Sequence, residues 1–397
     1  MKKILLICAF SLLLIPFSQA QEPTCDCKGD LEFLTKKVKK IPSFKRNKDA
    51  YLKKYAEVSG EVSSSTPYFE CFERIQQLLL TLKDWHMGVY ETYPKDSMLV
   101  TVAYPRYSGS LTELEEQLSS KSSSDIEGIY YRKGRYRFGL VYNQEESLYN
   151  GVLFESQSPR WKAGDIFLQL RSQEREAFSM LWGQYPSTRA VTTYTKIQEG
   201  LFLSWGFVKD TLATYYNRTP YPKRQYVYKS LNDQVDYIKV GSFKSFYPTL
   251  KEAEDFYRSI KGKLNKKHLI LDLRDNGGGG DRNSDILLEQ LLAYLKQGQL
   301  HIITNAVTGS NAEQFTVKLK KMANVISYGG TTLGALAYEK KGKVTHTLPS
   351  TGFLVTLPTK VHKEFLPFET LGVSPDVPLE LGSSWIQQIV DRILSKE

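Results

Sequence analysis

The sequence predicts a multidomain α+β protein. Three observations carry this: a helical stripe near the start, short strands through the middle, and alternating strands and helices after residue 225. The chain has 397 residues, which allows two or three domains. Apolar residues make up 41% and charged residues 24%, enough for packed cores and too apolar for wholesale disorder. The 27 glycines and 16 prolines exclude a collagen-like chain or a proline-rich spacer.

Residues 1–20 read as a secretory signal peptide. Lys2 and Lys3 precede an apolar run from Ile4 to Phe17, and Ser18-Gln19-Ala20 supplies small residues at a cleavage site. The run is short for a bilayer span, and nothing later resembles one. Loss of Lys2 and Lys3 lowers the net charge from +10 to +8, spread over mixed charges as on a solvated face. Cys25, Cys27 and Cys71 then remain. One of the first two can pair with Cys71 in an oxidising compartment, and sequence does not select which. A four-thiolate zinc site lacks its second cysteine pair.

Residues 21–95 form the expected N-terminal helical domain. Within 68–82, Tyr68, Phe69, Phe72, Ile75, Leu78, Leu79 and Leu82 are spaced mostly by three or four. Asp84-Trp85-His86-Met87-Gly88 breaks this helix, so His86 falls at a helix-to-strand junction. Residues 96–225 form the expected mostly-β middle domain, barrel-like or PDZ-like, with strands such as 136–141, 151–154 and 166–170. Residues 226–397 alternate strands and helices. Leu269 to Leu273 is a buried-type strand running into Gly277-Gly278-Gly279-Gly280.

Four successive glycines imply unusual dihedrals or close approach of a ligand to the backbone. Neither a dinucleotide fingerprint nor a phosphate loop is present, so a loop of free N–H groups for a developing oxyanion is the functional reading. Ser310, in Thr308-Gly309-Ser310-Asn311-Ala312-Glu313, stands between a strand and a helix. It is the best nucleophile candidate. The simpler alternative makes it a helix cap, with Glu313 completing a capping box. The Gly-x-Ser-x-Gly elbow does not fit, because positions 308 and 312 are Thr and Ala.

Five segments in order resemble the tail-specific, or C-terminal-processing, serine peptidases: 237–243, 269–279, 308–313, Gly329-Gly330-Thr331-Thr332-Leu333-Gly334 and Glu369-Thr370-Leu371-Gly372-Val373-Ser374-Pro375-Asp376. The resemblance covers under half of the mature chain. It implies a C-terminal α/β peptidase core of ClpP/crotonase-like kind, Ser310 as nucleophile, and backbone oxyanion donors from Gly277, Gly278 and Asn311. Where the Ser–Lys branch carries its lysine this chain has Ala335, and Lys340 and Lys341 fall outside the motif. The tricorn-core-like branch uses an early histidine and a late glutamate, which His86 and Glu369 match. Asp84 is a reserve orienter for His86, while Asp272 and Asp376 read as structural.

The implied function is a secreted or periplasmic serine endopeptidase acting on a peptide or protein substrate, with no cofactor, no metal and no nucleic-acid partner. Imidazole suits the base role near neutrality, and a carboxylate can hold its tautomer. Two alternatives share the scaffold: an inactive peptide- or glycan-binding protein, and a serine esterase.

Overall fold

The computed structural model describes residues 24–91, 104–174, 176–185 and 189–395. The expected signal peptide lies outside the described residues.

Three helices open the chain. Helix α1 spans Cys27–Val38, and Asp26 caps it by accepting from the Gly29 N–H at 3.0 Å. Helix α2, Pro42–Glu61, starts on a proline, where the missing N–H has no helical partner to lose. Helix α3, Tyr68–Leu80, buries Phe69, Phe72, Ile75, Leu78 and Leu79, the stripe its spacing implies. A disulfide joins Cys27 to Cys71 and ties α1 to α3. Cys25 is a buried thiol donating to the Thr66 carbonyl.

After α3 the chain reverses through Lys83, a non-glycine residue at φ 48°. Asp84, Trp85 and His86 follow in the turn, and Gly88–Tyr90 becomes a strand. That strand lies inside a ten-stranded antiparallel sheet. From one edge the order is Thr345–Thr347, Leu354–Thr356, Gly88–Tyr90, Arg189–Gln198, Ala177–Gln184, Ile166–Ser172, Leu148–Ser156, Tyr136–Asn143 and Gly128–Arg132. Leu201–Phe202 pairs with Arg189–Gln198 off this path. Period-two alternation gives the sheet two apolar faces. Helix α4, Leu111–Ser119, covers Val152, Phe154 and Ile166 on one face. The other face packs Tyr130, Phe138, Phe167, Trp182 and Phe207 into an aromatic core.

The second layer is a six-stranded sheet. Tyr226–Ser230 enters antiparallel; Val235–Val240, His268–Asp272, Gln299–Thr304, Val325–Gly329 and Val377–Pro378 then run parallel. Helices α5 (Thr249–Ile260), α6 (Asp281–Tyr294) and α7 (Asn311–Lys320) cover one face through Tyr257, Leu287, Leu291 and Phe315. Helix α8, Trp385–Leu394, covers the other through Trp385, Ile389 and Ile393. Parallel strands buried on both faces explain the near-continuous apolar runs at 237–240 and 269–273.

The expected ClpP/crotonase-like core is corrected here. After Val325–Gly329 the chain leaves the parallel layer and lends Thr345–Thr347 and Leu354–Thr356 to the antiparallel sheet, beside Gly88–Tyr90. It then returns to the parallel sheet at Val377–Pro378. The result is an α+β fold in which an N-terminal helical region and a large β-sheet interlock with the C-terminal layer. Local periodicity could not reveal this, because strands of two or three residues pair across more than 250 positions.

Candidate active site

The parallel strands end on one side of their sheet, where the loops after His268–Asp272 and Gln299–Thr304 meet. Crevices at the carboxyl ends of parallel strands are the usual ligand sites of open α/β sheets. Ser310 lies in the second loop, at the start of α7, with φ 54° and ψ −124°. A side chain held at positive φ costs about 1–3 kcal/mol and persists where neighbours impose it. Here the neighbour is Glu313. Its buried carboxylate accepts from the Ser310 N–H at 2.8 Å, the Thr332 hydroxyl at 2.5 Å, the Gly334 N–H at 2.6 Å and the Ala335 N–H at 3.0 Å. Burial pushes the Glu313 carboxyl up to about 7, against the downward pull of these four bonds. Sequence offered Glu313 only as a helix-cap residue; its work as a staple between two turns needs the fold.

The Ser310 hydroxyl faces His86. Nε2 of the imidazole lies 3.0 Å from Oγ, across 224 positions of sequence. Trp85 stacks on Tyr194 with ring centroids 4.2 Å apart, which fixes the turn carrying the histidine. Glu369 also braces it. One oxygen accepts from the Trp85 N–H at 3.0 Å, the other from the Leu336 and Ala337 N–H groups at 2.9 and 2.7 Å. Asp84 accepts from the His86 N–H at 3.0 Å through Oδ1. Its Oδ2 and the His86 Nδ1 are both buried with no hydrogen-bond partner among the described residues. The Ser43 hydroxyl approaches Asp84 without reaching hydrogen-bonding geometry.

Burial, helped by the Lys340 ammonium and opposed by Glu339, pushes the imidazole down to about 3. It is therefore neutral at physiological pH, the form that can accept a proton. Burial raises Glu369 to about 7, and burial with the Glu369 charge raises Asp84 well above the usual carboxylate range. One ligand atom from each of Asp84, His86 and Glu369 can be chosen so that all lie within 4.8 Å of one another. Among the described residues this is the one cluster with the donors for a metal. Both Glu369 oxygens are already engaged, so it offers only two free donors, against the three or four of protein zinc sites.

The glycine loop closes the other side. A Cβ on Gly278 would come within 2.6 Å of the Gly309 carbonyl oxygen and 2.8 Å of the Asn311 nitrogen. Gly278 also has φ 91°, so only glycine fits against the serine turn. Its N–H donates to Asn276 Oδ1 at 2.9 Å. The N–H groups of Gly277 and Asn311 have no partner among the described residues. A cavity of ≈ 660 Å³ opens here, lined by His86, Phe246, Gly277, Ser310, Asn311 and Lys340 among others. Lys340 thus reaches the site, although sequence set it outside every motif. Asp272 and Asp376 lie in ion pairs with Arg274 and Lys320, each at 2.6 Å.

Residues 234–294 match peptidase family S41. That segment, about a sixth of the chain, is similar to the tail-specific or C-terminal-processing serine peptidases. No curated protein matches the chain. Among solved structures it is similar to a putative peptidase from Parabacteroides merdae, at 15% identity and TM-score 0.41 over 87% of this chain and 89% of that one. It is also similar to mature CPAF, at 12% identity and TM-score 0.46 over 93% and 96%. A third is the tricorn protease, at 13% identity and TM-score 0.37 over 93% and 37%. The family match and the strand pairing between Leu354–Thr356 and Gly88–Tyr90 overturn the expected ClpP/crotonase-like core. Among the described residues no helix is long and apolar enough to cross a membrane.

Proposed function

We propose that the chain is an exported serine endopeptidase that works through an acyl-enzyme on Ser310, with His86 as base. The observation that carries this reading is the 3.0 Å approach of His86 Nε2 to a serine hydroxyl held at positive φ. His86 Nε2 takes the Oγ proton as Oγ attacks the scissile carbonyl carbon. The oxyanion receives the two unpartnered N–H groups, from Gly277 and Asn311; the Gly278 N–H is already engaged. His86 then gives its proton to the leaving amine. Water, deprotonated by the same nitrogen, releases the acyl group.

Glu369 serves as the brace of the turn, through Trp85. Asp84 keeps a free oxygen that can accept a hydrogen bond from the Nδ1–H of His86 and stabilise the ring when it becomes charged. The Cys27–Cys71 disulfide supports an oxidising compartment, as does the leader-like start of the sequence. The test is hydrolysis of a diverse peptide pool by the mature protein, read by mass spectrometry. Cleavage is expected to fall by about 10³-fold or more in both S310A and H86A. Equal cleavage by S310A overturns the reading. Ester turnover without peptide turnover would make the protein an esterase.

A further inference from the structure

A second cavity, of ≈ 520 Å³, lies at the far edge of the antiparallel sheet. It is built on the hairpin between Gly128–Arg132 and Tyr136–Asn143, closed by the Arg135 N–H donating to the Arg132 carbonyl at 2.9 Å, with Gly134 at φ 68°. Its walls include Tyr131, Arg132, Lys133, Arg135, Tyr136 and Val208. The hairpin reads Arg132-Lys133-Gly134-Arg135-Tyr136-Arg137, four cations in six positions.

Among the described residues only one of the four is neutralised. Arg137 pairs with Glu155 at 3.0 Å and also with Glu115. Arg132, Lys133 and Arg135 make no ion pair among the described residues. The Arg132 guanidinium lies over the Phe207 ring at 5.5 Å and that of Arg135 over the Tyr185 ring at 5.4 Å. Stacking covers the faces of these groups and leaves their in-plane N–H donors open. Arg132 Nη1 is buried and has no hydrogen-bond partner among the described residues. A buried cationic donor without an acceptor is unfavourable in the empty state and is relieved by an anion. Two forked donors beside aromatic and aliphatic walls match carboxylates carried on an apolar chain better than a hydrated phosphate polymer, which would need an open stripe.

We infer that this hairpin cavity, which shares no lining residue with the Ser310 cavity, is a docking site for an acidic peptide segment held by Arg132 and Arg135. From the proposed function the inference takes only that peptides are the ligands. The test measures binding without turnover. A labelled, C-terminally amidated peptide of alternating glutamate and leucine is titrated by fluorescence anisotropy into the mature S310A protein. Binding is expected to weaken at least tenfold with R132Q/R135Q, and several-fold with K133Q/R135Q, a pair at the hairpin tip. It is also expected to weaken with added salt. Unchanged affinity in both double variants overturns the inference. Stronger displacement by inorganic tripolyphosphate than by unlabelled peptide overturns it too, by assigning the site to phosphate. A peptide with a free C-terminus that binds ten times tighter supports a chain-terminal carboxylate; equal binding supports side-chain carboxylates. Loss of peptide cleavage in otherwise wild-type protein bears on the function proposed for Ser310 and leaves this binding result standing.

Discussion

The two halves of the candidate active site are built differently. Behind Ser310 one buried carboxylate, Glu313, is saturated: it accepts four hydrogen bonds and holds the serine turn to residues 332–335. Around His86 two buried polar atoms, Nδ1 of the ring and Oδ2 of Asp84, have no partner among the described residues. A saturated network fixes a single geometry, which suits a nucleophile that must not move. An open donor–acceptor pair costs stability and persists where a proton has to be received. The contrast assigns preorganisation to the parallel layer and proton handling to the turn between α3 and the antiparallel sheet.

The largest effect expected from breaking this contrast comes at Asp84. D84N should lower kcat by about 10²-fold or more while leaving the melting temperature unchanged or raised, since a buried carboxylate is removed. E369Q should act in the opposite proportion, costing more stability than rate, because its contacts are backbone N–H groups. If D84N keeps full turnover, the open pair has no catalytic meaning. G278A comes next. Its Cβ would press on the Gly309 carbonyl oxygen and the Asn311 nitrogen, shifting the serine. We expect about 10² lower kcat and about 1–3 kcal/mol lower stability, checked by kinetics and chemical denaturation.

Glu313 sharpens the saturated half through pH. Its carboxyl holds a proton more tightly folded than unfolded, about 7 against 4.5. Its contribution is therefore full below pH 4.5 and lost as pH rises to about 7, a change of about 3 kcal/mol. Denaturation midpoints should show a flatter pH slope across this window in E313Q than in the wild type; identical slopes would contradict the assignment. The smallest effect is expected at Lys340, whose ammonium lowers the basicity of His86. K340M should move the acid limb of the activity profile to higher pH. A limb that stays in place removes Lys340 from the electrostatics of the base.

What sequence could reveal follows the same division. The helix-to-strand position of His86, the strand-to-helix position of Ser310 and the glycine loop were readable because each is a local break in periodicity. Glu369 needed a motif, since its brace acts on Trp85 from 284 positions away. The pairing of Leu354–Thr356 with Gly88–Tyr90 left no periodic signal, and so the interlocked sheet was missed. Cys27 and Cys25 were equivalent by spacing; only the direction of α1 selects Cys27 for Cys71. Lys340 and the cationic hairpin read as ordinary surface charge, because the missing counter-charges are a fact of three dimensions.

The central claim is that Ser310 is a nucleophile activated by His86. A fluorophosphonate probe with peptide mapping tests it most directly. The expected result is one equivalent of label on Ser310, absent in S310A and formed much more slowly in H86A. Label in S310A equal to wild type, or none on Ser310 in folded wild-type protein, would contradict it.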